Sequence, residues 1–169
     1  TPAPSNRLTA PFSSCMVKPT FTSEEITAHL AEHWGIQATD VTALPSYDDQ
    51  NFAVTDAASG RRLVAKINNT VDCGAALGLQ HAIMEHVAEH MGPGIVPEVL
   101  TAQADGKTIA MLDGYRVRVL TYLDGQVQMG HSLRTLREYR DFGAFLGRVD
   151  AVCLSFKDER AEVSHEWDP

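Results

Sequence analysis

A single lysine, Lys66, stands inside the apolar run at residues 62–67 (RLVAKI), and it constrains the fold more than any other feature. The run has the composition of a sheet strand, and a lysine in mid-strand must place its ammonium group in water or beside an acceptor. In a nucleotide site such a lysine contacts phosphate, and the hairpin before it covers the phosphates. The alternative is an ordinary strand whose lysine reaches solvent.

A polar loop precedes this strand. Residues 44–54 read LPSYDDQNFAV, which places Asp48, Asp49, Gln50 and Asn51 side by side between two predicted strands. Side chains this polar are not buried unless specific partners satisfy them. We expect a hairpin tip that offers backbone N–H groups and amide side chains to phosphate oxygens, with the two acids organising the turn or facing a metal ion. The alternative is a solvated turn.

Three helices are predicted from local patterns. Thr22 and Glu25 form a capping-box pattern for a helix that ends at Gly35. A second helix is predicted at residues 72–91, where the following Gly-Pro-Gly ends it. A third, amphipathic helix is predicted at residues 132–153. The apolar residues that we expect to face inward on this last helix are Leu133, Leu136, Phe142, Phe145, Leu146, Val149 and Cys153.

The remaining segments predict antiparallel strands. Short strands are expected at residues 41–44 and 52–54, on either side of the polar loop. Farther along, Asp-Gly pairs at 105–106 and 113–114 are strong hairpin signals between apolar runs. They predict three more strands, near residues 97–102, 107–112 and 115–121.

Composition excludes several classes of function. The 169 residues are 44% hydrophobic and 21% charged, which is enough to form a core. The net charge of −8, without a basic run, argues against nucleic-acid binding, and no apolar stretch is long enough for a membrane span. The three scattered cysteines, Cys15, Cys73 and Cys153, are predicted to be buried or half-buried thiols in a reducing compartment.

The chain divides into three predicted parts. Residues 1–21 are acid-poor and rich in Pro, Ser and Thr, so they are predicted to be a disordered or targeting extension, which leaves the cytoplasm and the mitochondrial matrix open as locations. Residues 22–125 are predicted to form a nucleotide-binding lobe. Residues 126–169 are predicted to form a linker and the first helical segment of an incomplete second lobe.

Four segments carry a family resemblance: KPTF, LPSYDDQNF, VAKINN and VRVLTYLDG. They resemble the amino-terminal half of hydroxylysine kinase-like members of the aminoglycoside phosphotransferase and choline kinase-like family. The resemblance implies an α+β fold like the N-lobe of a protein kinase, with an antiparallel sheet and flanking helices. It also implies transfer of a phosphoryl group from GTP or ATP, with Mg²⁺, to a hydroxyl of an amine such as 5-hydroxylysine.

The resemblance assigns roles to particular positions. Residues Asp48 to Asn51 match the nucleotide-covering loop, and Lys66 matches the lysine that contacts phosphate. The hinge whose backbone meets the base corresponds to Thr121, Tyr122 and Leu123.

The sequence departs from the kinase pattern in two places. The helix after Lys66 has Gly78 and Gln80 where an acid would align that lysine, and Glu85 is expected to point elsewhere. A catalytic loop of the HxDxxxxN type is also missing, because no asparagine follows Asn69. We therefore expect a lobe truncated before its catalytic loop, with no catalytic residue and weak or absent nucleotide binding. The alternative is a non-catalytic, pseudokinase-like interaction subunit, with partner proteins bound through the apolar face of helix 132–153.

Two short motifs are interpreted as coincidences. Residues 141–143 read DFG, the kinase metal motif, but they fall inside the predicted last helix. Residues 86–90 read HVAEH, which matches the HxxEH pattern of zinc hydrolases, although no third ligand or substrate cleft is evident. We expect neither a catalytic metal site nor zinc hydrolysis from them.

Overall fold

The computed structural model describes residues 16–71, 74–125 and 135–161. In chain order the elements are α1 (Ser23–Trp34), β1 (Ala38–Leu44), β2 (Gln50–Asp56), β3 (Arg62–Asn68), α2 (Gly74–Met91), β4 (Ala110–Leu112), β5 (Tyr115–Thr121), α3 (Leu136–Ser155) and a 3₁₀ turn (Glu159–Ala161).

The five strands form one antiparallel sheet in the order β1-β2-β3-β5-β4. In its middle Lys66 pairs with Asn51 on β2 and with Arg118 on β5. Strand β1 lies at one edge, where its pairing slips between Thr39 and Thr42 and Asp40 has a φ of 49°. Strand β4, with only three residues, lies at the other edge.

The strand predictions at 97–102 and 107–112 are too long. Residues 98–100 follow β5 beyond the end of β4, with Leu100 N donating to Val119 O, but they form only an isolated bridge at Val99. This segment and β4 share one edge of β5, so neither has room to become a full strand. Asp113 (φ 47°) and Gly114 (φ 86°) form the predicted turn of the β4–β5 hairpin. Two successive positive φ angles are typical of a type I′ turn, which confirms that prediction.

Helix α1 packs on one face of the sheet. Its capping box is formed, because Thr22 accepts from Glu25 N and the Glu25 side chain accepts from Thr22 N. It ends at Gly35 in the left-handed conformation, as predicted. The core between helix and sheet is apolar and buried: Ile26, Leu30, Trp34, Phe52, Val54, Leu63, Ala65, Ile67, Val117 and Val119.

Helix α2 covers part of the other face. Because side chains alternate along a strand, Val64 and Lys66 point away from the α1 core that holds Leu63 and Ala65. On this second face the Gln80 side chain of α2 accepts a hydrogen bond from Arg118 Nη2 at 2.6 Å. The helix therefore covers the β5 side of the face, and none of the described helices covers the β1–β2 side.

Helix α3 differs from its prediction. It begins at Leu136, because Thr135 and Glu138 form a capping box there, whereas residues 132–134 lie outside the described part of the chain. No residue of α3 is fully buried. The predicted inward-facing stripe is wrong for its exposed members Leu136, Phe142, Leu146 and Cys153, whereas Phe145 and Val149 are half-buried. Leu136 is 78% exposed and Leu154 80% exposed, because among the described elements the helix packs mainly against α2.

Two further predictions concern the surface. Cys153 is exposed, which contradicts its predicted burial, while Cys15 and Cys73 lie outside the described residues. The described helices include none that combines the length and the apolar character needed to cross a bilayer.

Candidate nucleotide site

Lys66 lies in the middle of β3 on the face that α1 does not cover. Its Nζ donates to Asn51 Oδ1 at 3.1 Å and lies 3.8 Å from Asp49 Oδ2. The side chains of Lys66 and Asp49 are 23% and 18% exposed, so the ion pair is partly screened from water. The structure thus brings together three of the predicted site residues: Asp49 from the loop, Asn51 from β2 and Lys66 from β3.

Asp49 organises the loop between β1 and β2. Its Oδ1 accepts from Asn69 N at 3.0 Å and from Asn69 Nδ2 at 3.3 Å, and its Oδ2 accepts from Asn68 Nδ2 at 3.1 Å. One of the two acids therefore fastens the loop to the end of β3. Asn68 and Asn69 were missed as site residues, and only their place directly after the Lys66 strand could have indicated them.

Gln50 holds the segment that precedes α1. Its side chain accepts from Phe21 N at 2.7 Å and donates to Phe21 O at 2.8 Å. Lys18 also contacts the loop, because its Nζ donates to Ser46 O at 2.7 Å and to Tyr47 O at 2.9 Å. The Gln50 side chain thus bonds to the backbone of Phe21 and does not face Lys66. Lys18 and Phe21, which lie just before α1, hold the loop and the start of β2 in place.

Asp48 is half-buried and makes no hydrogen bond or ion pair with any other described residue. Its neighbour Asp49 takes the structural role, so the two acids of the loop have different environments.

The predicted hinge begins at the end of β5. Thr121 N donates to Glu98 O at 2.9 Å, and Tyr122 N donates to Arg62 O at 3.1 Å. Both groups are therefore used within the protein. Within the described part of the chain the N–H of Leu123 has no such backbone acceptor.

A cation–π contact lies beside this hinge. The guanidinium carbon of Arg62 is 3.8 Å from the centroid of the Tyr122 ring, and Arg62 Nη1 is 3.0 Å from Asp124 Oδ1. Arg62 and Tyr122 border a cavity of about 270 Å³ on the face left open by α2. The cavity is lined by Asp40, Thr42, Leu44, Ala53, Val54, Thr55, Arg62 and Tyr122. Sequence reasoning missed Arg62, because its contact depends on two strands that are far apart in the chain.

Helix α2 brings no acid to Lys66 among the described residues. A Cβ at Gly78 would lie 2.8 Å from Arg160 Nη1, so a cation lies against the helix at that position. Gln80 bonds to Arg118 instead. Glu85 is exposed and borders a small cavity beside Pro97 and Val99, as expected for a residue that points elsewhere.

A buried histidine lies on the same helix. His81 is 6% exposed, and its Nδ1 is 3.2 Å from Thr108 Oγ1. Burial, with a smaller effect of the Arg118 charge, lowers the pKa of His81 to about 4. His81 is consequently neutral at physiological pH.

The two short motifs have different outcomes. Asp141 of DFG lies within α3, 73% exposed and 3.6 Å from Arg137 one turn earlier, so the motif is helical surface here. The HVAEH segment lies near the end of α2, and His86, Glu89 and His90 each place one potential ligand atom within 4.8 Å of the others. Glu89 therefore places a third potential donor atom beside the two histidines, which the sequence analysis did not identify, and the group lies at the surface.

Sequence comparison with known proteins agrees with the kinase-like fold. Residues 40–167 match the phosphotransferase enzyme family (APH). Hydroxylysine kinase from Danio rerio is 30% identical over an alignment 156 positions long, and the match covers 86% of this chain and 42% of that protein. Hydroxylysine kinase from Mus musculus is 25% identical over an alignment 173 positions long, and the match covers 90% of this chain and 44% of that protein.

A solved structure agrees in fold. The microcompartment-associated aminopropanol kinase matches with a TM-score of 0.60 at 16% identity, over 86% of this chain and 45% of that chain. Together with the antiparallel sheet and its flanking helices, this confirms the predicted kinase-like N-lobe fold. The chain spans less than half the length of these relatives.

Proposed function

The chain belongs to the phosphotransferase enzyme family, and we propose that it forms the nucleotide-covering half of a small-molecule kinase. One observation supports this most directly: a lysine in the middle of the sheet, half enclosed, with its ammonium group between Asn51 and Asp49. A cation placed at the base of a hairpin loop is the arrangement that kinases use to hold phosphate.

The open face of the sheet fits a nucleoside triphosphate with Mg²⁺. Lys66 would contact the phosphates, and the loop at Asp48–Asn51 would cover them. The N–H of Leu123 would meet the base, because those of Thr121 and Tyr122 have partners within the protein. When bound, the nucleotide would supply the phosphoryl group, and Mg²⁺ would neutralise part of the phosphate charge. In this arrangement Asn51 and Asp49 hold the lysine in place, a role that an acid on the helix otherwise fills.

The proposed acceptor is suggested by the names of the relatives, and the proposed donor by the family resemblance. GTP or ATP is proposed as donor, and a hydroxyl on a small amine such as 5-hydroxylysine as acceptor. The catalytic base and the metal ligands are proposed to come from the part of such kinases that this chain does not span, since its 169 residues contain no HxDxxxxN pattern. Alone, this half should bind nucleotide with a Kd of about 1 mM or weaker, compared with a typical micromolar constant. The cytoplasm and the mitochondrial matrix are both proposed locations.

A second candidate is a non-catalytic interaction subunit. The exposed apolar side chains of α3, among them Leu136, Phe142 and Leu146, favour it because a monomer rarely leaves such a row uncovered. The two candidates differ in whether nucleotide binds at Lys66.

Amide NMR spectra recorded during titration with Mg·GTP and with Mg·ATP distinguish the two. We expect millimolar binding, with shifts concentrated at Asn51, Lys66 and Leu123, and loss of these shifts in Lys66→Ala. Lys107→Ala is the matched control, because Lys107 is exposed and pairs only with nearby Asp105 among the described residues. The nucleotide proposal would be refuted if no amide signal shifts at up to roughly 10 mM nucleotide. It would also be refuted if the shifts occur away from Asn51, Lys66 and Leu123.

A further inference from the structure

We propose that His86, Glu89 and His90 form a binding site for a divalent transition-metal ion, of which Zn²⁺ is the best match. The site would lie on the surface of the last turns of α2, away from the nucleotide face. It is independent of the proposed kinase function.

The spacing of the three residues suits one metal ion. On a helix, positions i, i+3 and i+4 share a face, and one potential ligand atom from each residue lies within 4.8 Å of the others. The imidazole rings of His86 and His90 have centroids 4.2 Å apart. Two histidines one turn apart with a carboxylate are a ligand set that Zn²⁺ uses, and imidazole selects against Mg²⁺ and Ca²⁺.

The hydrogen bonds of His86 prepare one of its nitrogens for a metal. Its Nε2 is 3.1 Å from Val152 O and 2.9 Å from Ser155 Oγ, and the Ser155 hydroxyl donates to the same Val152 carbonyl. A carbonyl only accepts, so the neutral ring carries its hydrogen on Nε2. The lone pair is therefore on Nδ1.

The same reasoning applies to His90. Its Nδ1 lies 2.8 Å from His86 O, which again only accepts, so the hydrogen is on Nδ1 and the lone pair on Nε2. A histidine whose other N–H donates to a backbone carbonyl is the usual arrangement around a protein-bound metal. Both rings have this arrangement, and a purely solvated pair of histidines would not require it.

The position of the site suggests what binding would do. His86 connects α2 to the last turn of α3 through Val152 and Ser155, and its ring also contacts Phe156. A metal on the opposite side of the ring would strengthen these bonds by withdrawing electron density from it. Three protein ligands leave one tetrahedral position for water or for a side chain of another protein.

Zinc titration of the 169-residue chain, without an affinity tag and after treatment with a chelator, tests the proposal. Competition with a chromogenic chelator should give one Zn²⁺ per chain with a Kd in the micromolar range (about −8 kcal/mol). His90→Ala and Glu89→Gln should each weaken binding at least tenfold. Two matched controls should bind like the wild type: Glu85→Gln, an exposed acid one turn earlier, and Cys153→Ser, the exposed thiol on α3.

A spectroscopic measurement identifies the ligand atoms. Imidazole ¹⁵N shifts should move for His86 Nδ1 and His90 Nε2 upon addition of Zn²⁺. Glu89→Gln retains both rings and the fold, so it remains informative if a histidine variant does not fold. Binding weaker than about 1 mM, affinity that depends on Cys153 instead of His90, or equal effects of Glu85→Gln and Glu89→Gln would overturn the proposal.

Discussion

Replacing Asp49 with asparagine should destabilise the whole domain, although the residue lies in a loop. In the wild type its carboxylate accepts three hydrogen bonds from Asn68 and Asn69 and lies 3.8 Å from Lys66 Nζ. An amide of the same size keeps one acceptor oxygen but places an NH₂ group among donors. It also removes the negative charge from the partly enclosed lysine.

The size of the effect follows from these contacts. A hydrogen bond to a charged group contributes about 1.5 to 3 kcal/mol, and bonds to a shared acceptor do not add fully. Because Asp49 is 18% exposed, water can replace part of what is lost. We expect Asp49→Asn to lower the free energy of unfolding by about 2 to 3 kcal/mol, which corresponds to a decrease in Tm of roughly 5 to 10 °C.

Urea unfolding monitored by fluorescence measures this change, since Trp34 is buried in the α1 core. Asp48→Asn is the matched control, because the adjacent acid has no partner among the described residues, and it should change the unfolding free energy by less than about 0.5 kcal/mol. Equal effects of the two substitutions would refute the assignment of Asp49 as the residue that fastens the loop.

Three further predictions concern the remaining elements. The pKa of His81 is about 4 in the folded chain and 6.5 in the unfolded chain, so the unfolded chain takes up a proton at a higher pH. The free energy of unfolding should therefore decrease by up to about 3 kcal/mol as the pH drops from 6.5 to 4. His81→Gln should lose this part of the pH dependence of urea unfolding. Gly114→Ala should lower the thermal midpoint at a cost of about 1 kcal/mol, because φ is 86° there; an unchanged midpoint would contradict the type I′ turn. In calorimetry, Leu77→Ala, at a fully buried site, should lower the free energy of unfolding by about 2 to 5 kcal/mol. Leu154→Ala, at an exposed site, should lower it by less than about 0.5 kcal/mol. Comparable losses would show that α3 is covered.

The elements that could be predicted from the sequence are those with local causes. The capping box at Thr22, the left-handed end at Gly35 and the turn at Asp113-Gly114 each depend on residues within a few positions of one another. The place of Lys66 was also predictable, because a cation in an apolar strand has few acceptable environments.

The features that escaped prediction depend on distant contacts. Asp49 bonds to residues about twenty positions away, and nothing in the loop itself distinguishes it from Asp48. The apolar composition of residues 97–102 predicts a full strand there, but β4 already takes part of the same edge of β5. The stripe on α3 has the right period for burial, yet a period cannot indicate whether a partner is present.

The two edges of the sheet have a consequence for association between copies of the chain. An exposed strand edge can add a strand from another molecule when it is long and flat. Here β4 offers only three residues, and β1 is bent by its register shift, with Asp40 in a left-handed conformation. Backbone pairing between copies is therefore obstructed at both ends of the sheet. Any contact between copies should instead involve side chains. Infrared spectra should therefore lack the band of intermolecular β-sheet even at high protein concentration.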